Sequence, residues 1–348
     1  MTSVGLICLS RVYFSCPRCD LGGYPLDDLL GLDGFLSKQA RRLVCFIACN
    51  NSFAWTQQIL REACGWSISD ELIRHTCYRE GGRIEQWLDG NEQVYQRFIT
   101  AAGQIEVEID AAKVNTVEGW RDAKICIFAK RQPGEKATPQ EWAKRELPTP
   151  AARMAFARIE EVEHFSKRTG DWMARLAVID TSEVSVLGDG AEWIWNLARA
   201  NFPFAFEVLD IYHVIEHLGT AAKKLHGEGS DEAKHWQEQT RHKVLQDGWW
   251  GLCECVGERL TQQGEEARGP LEELLGYFSK HTSRMNYCAR LYAGRTIGSG
   301  MVEGAAKNLI GKRLKQTKAL WLVENVQRMA VLCCSHYSDT WALYWTAA

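Results

Sequence analysis

The segment LGDGAEWIWNLARANFPFAFEVLDIYHVIEHL, Leu187 to Leu218, constrains this chain more than any other. It reads as one strand–helix–strand–helix unit. The first strand ends at Asp189, the second at Asp210, and His213 and His217 follow on the next helix. Far downstream, IGSGMVEGAAKNLIGKRLKQ supplies Glu303 at a helix start. Phosphoryl transfer needs charge neutralisation at the phosphorus and a deprotonated attacking oxygen. Two Mg²⁺ ions held by oxygen ligands provide both, and hard cations select carboxylates over Cys or His. Carboxylates at the ends of different elements are the protein's share of such a site.

The flanking text supplies a third strand-end carboxylate. QIEVEID and AKICIFAKR alternate apolar and polar residues, so residues 104–130 read as a β-hairpin in which Asp110 closes the first strand. The Pro-containing RQPGEKATPQEW reads as a loop, and ARMAFARIEEVEHFSKRTGDWMARLA as helix. From Ile211 to about Tyr292 the pattern is helical and charged, broken at GEGSDE and QQGEEARGP, and final helices span roughly 300–346. Asp189 follows Asp110 by 79 residues, and Glu303 follows Asp189 by 114. The second gap is too long for one crossover and implies an inserted helical domain.

Each acid also has an ordinary structural role. Asp110 could be a strand-end turn former. Asp189 with Glu192 fits a D-x-x-E capping box, which alone accounts for that aspartate. Asp210 could cap its helix while His213 simply packs. Glu303 suits the dipole at a helix N-terminus, with Lys307 at i+4. Functionally, Asp210 and His213 could orient a metal ligand or the scissile phosphate. His213 and His217 share a helix face, but no third ligand with zinc spacing accompanies them. The expectation is therefore collective: Asp110, Asp189 and Glu303 should converge.

Near the N-terminus Cys16 and Cys19 form a C-x-x-C, with only Cys8 nearby, so four zinc ligands cannot be assembled there. They read either as two thiols in a turn or as part of a zinc ribbon whose first half is missing. Residues 38–80 read as two or three helices, with a Gly-containing turn before a Ser-initiated helix. That arrangement suits either a helix-turn-helix or a small bundle. Net charge is −3, which counts against a generally DNA-binding surface. However, Lys307, Lys312, Arg313, Lys315 and Lys318 form an acid-free basic run able to contact phosphates. Thirteen scattered cysteines fit reduced thiols in a cytoplasmic protein. No apolar run reaches membrane-spanning length.

Taken together, GDGAEWIWNLA…FPFAFEVLDIYHVIEHL and RMNYCARLYAGRTIGSGMVEGAAKNLIGKRLKQTKALW resemble the DDE transposases of bacterial insertion sequences of the ISKra-four type, relatives of Mutator-like transposases. The likeness extends to VEIDAAKVNTVEGWRDAKICIFAKR and to the ribbon-like YFSCPRCDLGGYPLD. The resemblance implies an α/β fold: an RNase H-like catalytic domain with a mixed sheet, interrupted by an all-helical insertion. The expected division is a partial zinc ribbon (1–35), a DNA-binding helical region (36–100), the first part of the catalytic core (101–218), the insertion (219–292) and completing C-terminal helices (293–348). It also implies Asp110, Asp189 and Glu303 as ligands of two Mg²⁺ ions (Mn²⁺ able to substitute), with Asp210 and His213 as a D-x-x-H signature. The implied partners are double-stranded DNA and a second copy of the chain, with no membrane. The alternatives are an RNase H-like nuclease lacking strand transfer and a non-catalytic, N-terminally shortened DNA-binding remnant.

Overall fold

Five strands form one mixed sheet: β1 Gln104–Thr116, β2 Gly119–Arg131, β3 Ala152–Arg158, β4 Val184–Gly188 and β5 Phe206–Leu209. Their spatial order is β3-β2-β1-β4-β5. β1, β2 and β3 are antiparallel neighbours, whereas β4 and β5 run parallel to β1. The fold is described from a computed structural model over residues 1–2, 5–263, 265–316, 319–338 and 340–347, leaving aside the side chains of residues 263 and 265–267.

Helices cover both faces of the sheet. In chain order they are α1 Lys38–Ala48, α2 Phe53–Cys64, α3 Asp70–Gly90, α4 Gln93–Thr100, α5 Val162–Arg175, α6 Glu192–Asn201, α7 Ile211–His226, α8 Asp231–Asp247, α9 Trp249–Gln263, α10 Glu265–Phe278, α11 Tyr287–Tyr292, α12 Gly300–Ala305, α13 Val323–Tyr337 and α14 Thr340–Thr346. Serine caps start several of them: Ser37, Ser52, Ser69 and Ser230 each accept a backbone N–H from the first turn of α1, α2, α3 and α8. α2 stops at Gly65, whose left-handed φ of 67° ends the helix at little steric cost.

Strand alternation sorts the core into two layers. Val107, Ile109, Cys126 and Phe128 face a cluster with α5, α6, α7 and the helices α8 to α10. Val114, Ile125, Ile127 and Ala157 face the other way, onto α1 to α3, α12 and α13. Glu106, Glu108 and Asp110 alternate with Val107 and Ile109 and so belong to this second face.

Three sequence expectations change. ARMAFAR, read as helix, is strand β3, antiparallel to β2. Its Ala, Met and Arg favour helices, yet nearly every residue from Ala152 to Arg158 is buried, because α13 packs on this strand. The hairpin is longer than expected. Its strands continue to a turn at Val117–Glu118, so Asp110 lies within β1 rather than at its end. The basic C-terminal run is not one α-helix: α12 widens into a π-helix over Ala306–Gly311 before a short α-turn, Lys312–Leu314.

Candidate active site

Strand register brings the aspartates together. Glu108 lies beside Leu187 across β1 and β4, and Gly188 beside Leu209 across β4 and β5. Continuing these pairings upward puts Asp110, Asp189 and Asp210 in one row across three adjacent strands. Asp110 occupies that row where β1 outruns its parallel neighbours; Asp189 and Asp210 each sit one residue beyond their strands. The C-terminal ends of parallel strands are where open α/β sheets bind ligands.

Local turns fix the carboxylates. Ala111 N–H donates to Asp110 Oδ1 (2.6 Å), and Ala191 N–H to Asp189 Oδ1 (2.8 Å). The expected Asp189–Glu192 capping box does not form. Ala191 is the N-cap of α6 and offers no side-chain cap, so Asp189 bonds two residues ahead and stays outside the helix. Asp210 does cap α7, accepting from Tyr212 N–H at 3.0 Å. It also accepts from Ser299 N–H (3.2 Å) and from the Ser299 hydroxyl (2.7 Å).

Those Ser299 bonds tie the loop before α12 to the aspartate row. On β1, two strands from Asp210, the buried Glu108 accepts Val302 N–H at 2.8 Å. Together they pin the first turn of α12, and the residue after Val302 is Glu303. Glu303 shares a hydrogen bond with Asp210 and feels the charges of Asp210 and Asp110. Glu108 and Ser299 were not singled out in the sequence. Glu108 was legible in principle, because alternation in QIEVEID puts Glu106, Glu108 and Asp110 on one face.

The electrostatics are those of crowded carboxylates. Burial pushes the Asp110 carboxyl up to about 6; Ala111 N–H opposes this, and the charges of Asp189 and Asp210 add to it. Glu303 reaches solvent, yet burial of its carboxyl, the bond to Asp210 and the surrounding negative charge push it up to about 7. Glu108, enclosed among apolar residues, is pushed up to about 8 by burial, partly offset by Val302 N–H. Among the described residues, no three His, Cys, Asp or Glu side chains stand in a ready-made metal-ligating arrangement.

The helical segment reaches the site through Tyr277 of α10. A β-carbon on Gly190 would overlap the Tyr277 phenol, so any other residue beside Asp189 would require that ring to move. Tyr277 stacks on His217 with ring centroids 3.9 Å apart, and His217 Nε2 is 3.2 Å from His213 Nε2. His281 lies in the same cluster, 6.1 Å from the Trp195 ring centroid, with Arg284 Nη1 3.0 Å from its Nδ1. Burial, then the Arg284 charge, hold its imidazole down at about 4. As pH falls, the unfolded chain takes up this proton near 6.5 and the folded protein only near 4, so the folded state loses stability across that window. His281→Gln should therefore shrink the drop in unfolding free energy between pH 7 and 4.5. Urea titrations at both pH values check it; an equal drop in the two proteins would refute it.

The basic run divides. Lys307, Lys312 and Lys315 are exposed, and Lys318 lies outside the described residues. Arg313 is a correction to the expected phosphate contacts. It is only 2% exposed, its guanidinium lying over Phe53 (4.2 Å) and Trp321 (4.9 Å), with no hydrogen-bond partner for Nε or Nη2 among the described residues. The π-turn shifts the register after Gly311, so this arginine joins the core between α2 and Trp321. At the N-terminus, Phe14–Ser15 pairs with Gly22–Gly23, with Cys16 and Cys19 in the intervening turn. Arg18 N–H, the Cys19 thiol and Cys19 N–H hold the Cys16 thiol below its ordinary value. Cys8 is exposed, and among the described residues no third ligand joins the pair. All thirteen cysteines are free. Among the described residues, no helix is long and apolar enough to cross a membrane.

No protein-family model matches this chain, and no curated protein matches it.

Proposed function

We propose that the chain is a DNA transposase that cuts and joins strands by metal-dependent phosphoryl transfer, with Asp110, Asp189 and Glu303 as its acidic triad. The observation that carries this reading is the row Asp110–Asp189–Asp210 with Glu303 delivered onto it by α12. The strand order β3-β2-β1-β4-β5, three antiparallel strands followed by two parallel ones, supports an RNase H-like core. The helices between β5 and α12 are the matching insertion.

The donor set fits Mg²⁺: it is all oxygen, carries several negative charges and reaches solvent at Glu303. Asp110, Asp189 and Glu303 would hold two such ions. Bound there, Mg²⁺ supplies charge neutralisation at the phosphorus and a more acidic attacking water or 3′-hydroxyl. The protein's own residues set the stage. Ser299 and the Tyr212 N–H in the first turn of α7 hold Asp210, whose proximity helps keep the Glu303 carboxyl raised, and metal ligation there requires the ionised carboxylate. Glu108 fixes the approach of α12. Tyr277, His213 and His217 wall the row on the side of the helical insertion. Exposed Lys307, Lys312 and Lys315 offer phosphate contacts, and joining two ends suits a homo-oligomer.

The test is incubation with Mg²⁺ and DNA spanning both flanks of the gene, where this reading expects terminal inverted repeats. End cleavage with joined products is expected, and neither should occur with EDTA. Cleavage without joining would make the protein a nuclease, whereas binding without cleavage would make it a non-catalytic remnant.

A further inference from the structure

The opposite edge of the sheet carries a second site. At the N-terminal ends of β4 and β5, where Ser185 and Phe206 lie, opens a cavity of about 460 Å³. That falls within the roughly 300–1,000 Å³ of ligand pockets. Ser185 precedes Asp189 by four residues in an extended strand, about 13 Å along the sheet, so the cavity is distinct from the carboxylate row.

Its lining is strongly cationic. Arg199, Arg284, Arg290 and Arg295 border it, against Glu183 and Glu207. Arg284 Nε donates to Glu207 at 2.6 Å, which neutralises that pair. Three arginines then face one glutamate. Arg290 has its plane fixed by bonds from Nε to Thr296 O (2.8 Å) and from Nη2 to the Ser185 hydroxyl (3.1 Å), and its third nitrogen bonds none of the described residues. Arg295 makes no side-chain hydrogen bond or ion pair with the described residues. Burial, together with the charges of Arg295 and Arg145, pulls the Arg290 guanidinium down to about 10, with Glu106 opposing. Arg145 itself keeps a buried Nη1 without a hydrogen-bond partner among the described residues. Positive charge is thus gathered here beyond what the protein's own acids balance. Beside it, Phe206 is 62% exposed on the cavity wall.

We propose that this cavity binds a nucleotide unit, its phosphate held by Arg290 and Arg295 and its base stacked on Phe206. Guanidinium forks match phosphate oxygens, and an aromatic face accepts any base. The unit could be a free mononucleotide or one residue of a single strand. The site does not depend on the phosphoryl-transfer reading.

The experiment is calorimetric titration of the full chain in EDTA, so that no metal can bridge nucleotide to the carboxylates. The probes are dAMP, a short single-stranded oligodeoxyadenylate and inorganic pyrophosphate. At least one of the first two should bind, and Arg295→Ala and Phe206→Ala should each weaken it by roughly tenfold, as loss of a charged hydrogen bond or of base stacking costs. Asp189→Asn should leave this affinity unchanged. Equal affinity for dAMP and oligonucleotide identifies the free nucleotide, and binding of the oligonucleotide alone identifies the strand; both support the site. Both variants replace side chains on the cavity wall, and melting curves matching wild type show that they fold. The proposal is overturned if neither nucleotide probe binds, if both variants bind like wild type, or if pyrophosphate binds as tightly as dAMP and Phe206→Ala changes nothing.

Discussion

Asp189→Asn is expected to leave a folded protein whose Mg²⁺-dependent DNA cleavage has fallen by about 10²–10³, the several kcal/mol that a metal-bound transition state draws from its ligands. The substitution is chosen for what it retains. Asparagine keeps an Oδ1 able to accept Ala191 N–H, so the turn leading into α6 survives. It is also the size of aspartate, so Gly190 and Tyr277 keep their fit. What disappears is one negative charge in a row of three. Circular dichroism and melting temperature should match wild type, while cleavage of end-bearing DNA at saturating Mg²⁺ collapses. Cleavage within tenfold of wild type would remove Asp189 from the mechanism, and with it the acidic-triad reading.

Much of this site was legible because its determinants are local. The runs ending at Asp189 and Asp210 announce their strand ends, and the text between them announces a helix, so their adjacency on the sheet follows from short-range pattern. The helical character of residues 211–292 was equally plain from periodicity and breaks. What escaped depends on contacts far apart in the chain. ARMAFAR has the composition of a helix, and only burial between β2 and α13 makes it a strand. Arg313 belongs to a basic run, and nothing near it in sequence indicates that Phe53 and Trp321 will enclose it. The Glu108–Val302 bond spans 194 residues, and no periodicity reports such a bond. The extent of β1 was missed for a simpler reason: AAKVNT is small and polar, and its strand character comes from pairing with GWRDAK.

The route from the arginine-lined cavity to the carboxylates runs through residues 293–299, and there a single methyl group should have a large effect. Gly294 has φ 68°, the left-handed region, and a β-carbon there would press into the backbone carbonyl of Gly134. Gly134 N–H already donates to Gly294 O at 2.9 Å, so the two chains cannot move apart without losing that bond. Gly294→Ala therefore combines a left-handed backbone penalty of about 1 kcal/mol with an overpacking cost of about 1–3 kcal/mol. Since Ile297 O accepts Ile211 N–H and Ser299 bonds Asp210, displacement of this loop also loosens the hold on α12 and Glu303. The expected result is a urea midpoint clearly below wild type, with cleavage reduced even at temperatures where the variant is folded. Gly257→Ala is the control: that glycine lies exposed inside α9 with nothing near its missing β-carbon, so alanine should stabilise by up to about 1 kcal/mol. If both substitutions shift the midpoint alike, Gly294 is not the constrained joint between the loop and the sheet that its backbone and neighbours require.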